Sequence, residues 1–173
     1  MSEYVIESKS RKELRDLADM IRETLRLKDT LYIPIVELLD VLSEVLPSFS
    51  YEIVEDEALP CSVHAETDIT TGHIQIKESV YNRACAGEGR DRMTIAHELG
   101  HFFMICIFGF KLQRNFSHEE IPPYQDPEWQ AKCFAGEFMI PAKLVQNMTP
   151  HEIAKSCGVS LDAAKVQYKH IND

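Results

Sequence analysis

His97, Glu98 and His101 form the pattern His-Glu-x-x-His, and its spacing has a mechanical meaning. Residues four apart stand one above the other on a helix, so two imidazoles can offer ring nitrogens to one tetrahedral ion. Glu98 lies between them in sequence, within reach of a water on that ion without ligating it. The chemistry would be hydrolysis: the ion activates water and polarises a carbonyl, and the carboxylate takes the proton. Met93-Thr94-Ile95-Ala96 lead into the motif and Phe102-Phe103-Met104-Ile105-Cys106 follow it, so the imidazoles sit on a largely apolar helix expected to be buried. A buried imidazole without a partner is costly, and ligation satisfies it. The competing reading is a histidine pair that merely caps or solvates a helix.

A hydrolytic zinc usually takes three protein ligands and leaves a fourth position for water. The longer motif that places a glycine and a third histidine just beyond the pair fails here, because Met104 and Ile107 occupy those positions. Candidates further on are His118, Glu119, Glu120, Asp126, Glu128 and Glu137. Glu128 has the best geometry: it falls in the first turn of a helix where Ala131, Ala135 and Phe138 follow on the same face, and the small residues would allow close packing on the motif helix. Asp126 is better explained as an N-cap, and Glu137 points elsewhere. A first-turn carboxylate also complements a helix dipole, so spacing alone leaves the third ligand open.

The elements that must position these residues are legible in outline. Ser10 and Glu13 form a capping box, and Leu14, Leu17, Ile21 and Leu25 recur at helical spacing, so a first helix is expected from about Arg11 to Leu27. Pro34 suits a first helical turn, with Val36, Leu39, Leu42, Val45 and Leu46 continuing to a stop at Pro47. Alternation then marks three short strands, at Phe49 to Ile53, Ser62 to Glu66 and Ile74 to Ile76, predicted as a small antiparallel sheet. Ala86 to Gly89 breaks the pattern before a motif helix from about Asp91 to Phe108. After a polar loop with Pro122-Pro123, Asp126-Pro127 opens the next helix, which stops at Pro141. A short helix from Thr149, a turn at Cys157-Gly158-Val159-Ser160 and a last helix from Leu161 complete the chain. A peptidase core over 1–141 and a C-terminal helical module over 142–173 are expected.

Composition narrows the function classes. Hydrophobic residues make up 45% and charged residues 27% of 173 residues, as in an ordinary globular domain. A net charge of −10 repels phosphate backbones and argues against nucleic acid as the main partner. The five cysteines are scattered, without a Cys-x-x-Cys pair, and read as reduced thiols. No basic-then-apolar leader follows Met1, and the longest apolar run, Phe102 to Phe108, is far short of the ~20 residues that cross a bilayer. A soluble cytoplasmic protein is therefore expected, without a membrane partner.

The run Arg90 to His101, followed by Glu128-x-x-Ala131-x-x-Phe134-Ala135-x-x-Phe138-Met139-Ile140-Pro141, resembles the ImmA/IrrE family of intracellular zinc metallopeptidases. The similarity extends roughly over residues 10 to 173, and these two blocks are its specific part. The family pattern has asparagine where Lys132 stands and phenylalanine where Met93 stands, and neither change touches a ligand position. The resemblance implies an α+β, zincin-like minimal metalloprotease with a gluzincin-like site: His97, His101 and Glu128 on Zn2+, and Glu98 as the catalytic base. It also implies a narrow substrate class, helix-turn-helix repressors of mobile-element or stress genes.

Some functional details stay undistinguished by sequence. His64, His118 and Tyr124 are weak candidates for oxyanion donors, and Arg90 and Arg92 are expected to pair with acids at the helix start. Ile74 to Lys77 is the nearest candidate edge for an extended peptide. Glu152 to Ser160 resembles the turn of a helix-turn-helix, yet Lys155, Lys165 and Lys169 are balanced by Glu152, Asp162 and Asp173. Without a basic footprint, packing or partner recognition is expected there and DNA contact is not. The rival to an enzyme is a non-cleaving, metal-stabilised binding partner of a repressor, anti-repressor or antitoxin-like, which would have no use for Glu98.

Overall fold

A computed structural model describes residues 4–109, 113–114 and 121–172. The architecture is α+β, eight helices around a small sheet among the described residues. Helix α1 (Arg11–Thr24) starts at the expected capping box: Glu13 N donates to Ser10 Oγ (3.3 Å) and Ser10 N donates to Glu13 Oε2 (2.8 Å). It stops short of Leu27 because Arg26 adopts a left-handed φ of 59°, which ends the helical ladder. Its buried stripe is Leu14, Leu17, Ala18 and Ile21. Arg22 is also buried, and its guanidinium donates to Phe138 O (2.7 Å) and to Thr30 O. Helix α2 (Ile35–Val45) follows, with Pro34 just before its first residue.

The sheet corrects the antiparallel expectation. Strand order is β2 (Tyr51–Val54), β4 (Ile74–Lys77), β3 (Ala65–Thr67); β2 pairs parallel with β4, and β3 pairs antiparallel with it. Alternation reports which face is buried, not which way a neighbour runs. Here the chain between Val54 and Ile74 lays β3 on the far edge of β4, so β2 and β4 share a direction. Ile74 and Ile76 are fully buried and face the helices. Because β4 is paired on both sides, it cannot be the edge that receives a peptide; the edges are β2 and β3, and β3 is the one that lines the cavity of His97 and His101. A separate ribbon joins β1 (Tyr4–Val5) to β5 (Gln113–Arg114).

Helix α3 (Glu78–Cys85) leaves β4 directly and buries only Val80 and Ala84, too narrow a stripe to stand out in the sequence. The motif helix α4 (Gly89–Phe108) buries Ile95, Ala96, Leu99, Phe102, Phe103 and Met104, almost all round its waist. Helix α5 (Pro127–Met139) packs along it, then α6 (Ala142–Val145), α7 (Pro150–Cys157) and α8 (Leu161–Asn172) close the chain. Between α7 and α8, Gly158 takes a left-handed φ of 63°, a conformation that favours glycine. Ile153, Cys157, Val159 and Ala164 join the same buried cluster as the motif helix. All five cysteines are unpaired thiols. No helix among the described residues is long and apolar enough to cross a membrane.

Candidate metal centre

Two elements bring the donors together. His97 and His101 project from successive turns of α4, their rings edge-to-face with centroids 4.8 Å apart. Across from them, α5 begins with Asp126 as its N-cap, whose Oδ1 accepts from Glu128 N (3.0 Å). That cap fixes the first turn carrying Glu128. Close approach of the helices depends on small residues: Ala131 and Ala135 are buried in α5, and Gly100 faces Ala131 and Phe134. A Cβ on Gly100 would lie 3.0 Å from Phe134 Cδ1 and 3.2 Å from Ala131 O. Gly100 occupies an unspecified position of the motif, so its type carried no signal in the sequence.

The donor atoms converge. His97 Nε2 lies 3.2 Å from His101 Nε2 and 3.2 Å from Glu128 Oε2, and His101 Nε2 lies 3.3 Å from Glu128 Oε1. These three residues form a group able to hold a metal ion. Donors bound to zinc at about 2.0–2.1 Å in a tetrahedron stand about 3.3 Å from one another. The observed separations match that edge length, so the residues present fit the ion that the motif implies.

Electrostatics is consistent with a site organised around positive charge. His101, then His97, hold the Glu128 carboxyl far below the usual carboxylate range by hydrogen bonding to its charged form. Burial disfavours charge on His97, but its hydrogen bond to Glu128 and the nearby Glu98 charge outweigh this and raise its pKa. His101 is buried, and its Nδ1 has no hydrogen-bond partner among the described residues.

Glu98 is 6% exposed and belongs to the same cavity of about 260 Å³ as His97, His101 and Glu128. Thr67 of β3 donates its hydroxyl hydrogen to Glu98 Oε2 (2.7 Å), with Glu98 O 3.2 Å away. Thr67 carries no motif or spacing signal, because its contact depends on β3 lying against α4. The open edge of β3 forms one wall of this cavity.

The remaining candidates separate cleanly. Glu137 is fully buried away from the site, taking Arg15 Nε at 2.7 Å and Arg11 Nη1 at 3.0 Å. His64 is exposed and Tyr124 is 48% exposed, and neither lines the metal-side cavity. His118, Glu119 and Glu120 fall outside the described residues. The expected pairing of Arg92 with an acid is wrong: Arg92 turns inward, lies 3.8 Å from the Tyr32 ring, and donates to Gly158 O (2.8 Å) and Ile33 O (2.7 Å). Asp91 is taken instead by Arg83, through bonds of 2.9 and 3.0 Å. Arg90 is exposed and forms no ion pair among the described residues.

Two histidines and a carboxylate able to hold a metal, with a glutamate at their side, are a donor set of the metallopeptidase type. Residues 64–168, more than half of the chain, match the model of the IrrE N-terminal-like domain, peptidase family M78. The chain belongs to this family, the ImmA/IrrE group of metallopeptidases. No curated protein matches it in a direct comparison. The matched region begins just before β3 and includes both donor helices and α8 in part, leaving α1 and α2 outside it.

Proposed function

We propose that this chain is a zinc-dependent endopeptidase of the cytoplasm that cuts a protein substrate, a helix-turn-helix repressor of a mobile element or stress regulon. The observation that carries the reading is the approach of His97, His101 and Glu128 at the edge lengths of a tetrahedral zinc site. Zinc held by these three residues supplies Lewis acidity toward a substrate carbonyl and toward water. Glu98 takes the proton of the attacking water and passes it to the leaving amide nitrogen. Thr67 keeps the Glu98 carboxylate aimed through its 2.7 Å hydrogen bond. An extended peptide adds along the open edge of β3, where main-chain bonds give affinity with weak sequence demand.

The repressor substrate rests on the family resemblance, and the net charge of −10 favours a protein over nucleic acid as the partner. Residues 142–173 act in packing and partner recognition. A non-cleaving binding partner is the less economical reading, since Glu98 and the hydroxyl that orients it would then serve no purpose.

Metal content tests the ligand set. After dialysis, elemental analysis should find about one zinc per chain, as for a three-ligand site. The content should fall in His101→Ala and Glu128→Ala, with circular dichroism showing that both remain folded. Unchanged zinc in Glu128→Ala would move the third ligand elsewhere.

A further inference from the structure

Beside the donor triad, on the side away from β3, lies a larger cavity of about 600 Å³ between α4, α5 and α8, with His97 in its wall. Pockets of this size hold small ligands or short peptide segments. Its apolar surface comes from Met93, Trp129, Ala163 and Val166. Arg90 and Lys132 also line it, both exposed and neither in an ion pair among the described residues, while Asp162 is the acid in the lining. Arg11 reaches the cavity as well, but its charge is taken by Glu137. His170 lines it too and has interactions of its own.

Gln167 of α8 supplies the second observation. It is 2% exposed and lines the cavity. Its Oε1 accepts from Arg11 Nη1 at 3.4 Å. A guanidinium offers only donors, so this contact fixes the orientation of the carboxamide and turns its NH2 group away from Arg11. That Nε2 is buried with no partner among the described residues, a state that costs free energy until an acceptor is supplied. Gly136 is what leaves room for the carboxamide: a Cβ there would sit 3.1 Å from Gln167 Oε1.

We infer that this cavity is a recognition subsite for a carboxylate of the peptide substrate, its stem lying on Trp129 and Val166 and its charge meeting Arg90, Lys132 and the Gln167 amide. The inference rests on the peptidase reading for its purpose, but the binding it asserts is independent of cleavage. A glutamate side chain and a free chain terminus share this chemistry. The arrangement also gives α8 a part in substrate selection: in a helix-turn-helix this helix would read DNA, whereas here its face lines the groove beside His97.

Trp129 is the sole tryptophan of the chain and lines the cavity, so its fluorescence reports occupancy. The titration uses the full-length Glu98→Gln protein loaded with zinc, which leaves peptides intact. The probes are the acetylated, amidated pentapeptides Ala-Ala-Glu-Ala-Ala, Ala-Ala-Gln-Ala-Ala and Ala-Ala-Lys-Ala-Ala, with penta-alanine bearing a free C-terminal carboxylate as the fourth arm. The glutamate peptide should shift the Trp129 emission saturably and bind about tenfold more tightly than the lysine peptide, as expected for complementary charge. Response to the free-carboxylate probe alone would assign the subsite to a chain end and keep the carboxylate inference.

Gln167→Leu should weaken the responding peptide about tenfold or more, in line with losing one hydrogen bond to a charged group. Because that change lies in a packed helix, the surface variant Arg90→Glu/Lys132→Glu provides an independent check and should reverse the preference toward lysine. Equal binding of all four probes, or no response of Trp129 to any of them, would overturn the inference. Cleavage by wild type that ignores peptide charge while Trp129 stays silent removes the subsite and keeps the enzyme. A charge-selective Trp129 response with no cleavage of any repressor or peptide removes the enzyme and keeps the subsite.

Discussion

Removing Arg11 and Arg15 together should destabilise the protein more than neutralising Glu137, although the three side chains form one cluster. The asymmetry follows from exposure: the Glu137 side chain has 0% accessibility, whereas Arg11 and Arg15 retain 25% and 32%. Glu137 accepts from Arg15 Nε (2.7 Å), Arg15 Nη2 (3.3 Å) and Arg11 Nη1 (3.0 Å). In Arg11→Ala/Arg15→Ala a fully buried carboxylate loses every one of these partners, which costs about 3–5 kcal/mol. In Glu137→Gln the carboxamide keeps the shape and some hydrogen bonding while the guanidinium groups turn toward water, so the loss is about 1–2 kcal/mol. For a chain of this length each kcal/mol lowers the melting temperature by about 2–4 °C. Calorimetry should therefore show a fall of about 10 °C for the double variant and about 4 °C for Glu137→Gln, with Arg15→Ala between them. Urea unfolding should shift its midpoint without changing its slope. A Glu137→Gln protein that melts at or below the double variant would refute the reasoning.

Two further perturbations concern the site directly. Gly100→Ala places a methyl 3.0 Å from Phe134 Cδ1 and 3.2 Å from Ala131 O, pushing α5 off α4; zinc affinity measured against a chromophoric chelator should fall about tenfold, the low end for losing ligand support, and unchanged affinity would mean that Glu128 is not held by this helix contact. Thr67→Val removes the hydroxyl at 2.7 Å from Glu98 Oε2; kcat for peptide cleavage should drop at least about tenfold with zinc content unchanged, Thr67→Ser should restore it, and an unaltered kcat would leave Thr67 without a positioning role.

The parts legible in the sequence are those written in local pattern. The capping box at Ser10, the proline-led start of α5 after Asp126 and the glycine turn at Gly158 all fall where their chemistry placed them. The His-Glu-x-x-His spacing likewise placed both imidazoles on one helical face, and the small residues Ala131 and Ala135 foreshadowed the close packing that brings Glu128 opposite them. What escaped depends on long-range pairing. The parallel pairing of β2 with β4 is set by where the intervening chain goes, so the alternation at Ile74 to Lys77 cannot tell that this strand is paired on both sides. Arg92 looked like a surface charge beside Asp91, yet the carbonyls of Ile33 and Gly158, remote in sequence, draw it inside. Thr67 and Gly100 have ordinary residue types in ordinary positions, and only the tertiary contact gives them meaning.

The most direct measurement of the central claim compares wild type with Glu98→Gln on zinc content and on cleavage of a co-expressed helix-turn-helix repressor. Glu98 is beside the donor set but not among the residues that converge at its centre. Its loss should therefore leave about one zinc per chain and the fold intact while cleavage falls ~10²-fold or more, the usual cost of removing a general base. Equal processing of the repressor by both proteins, or tight binding of the repressor by a wild type that cuts nothing, would contradict the hydrolytic account.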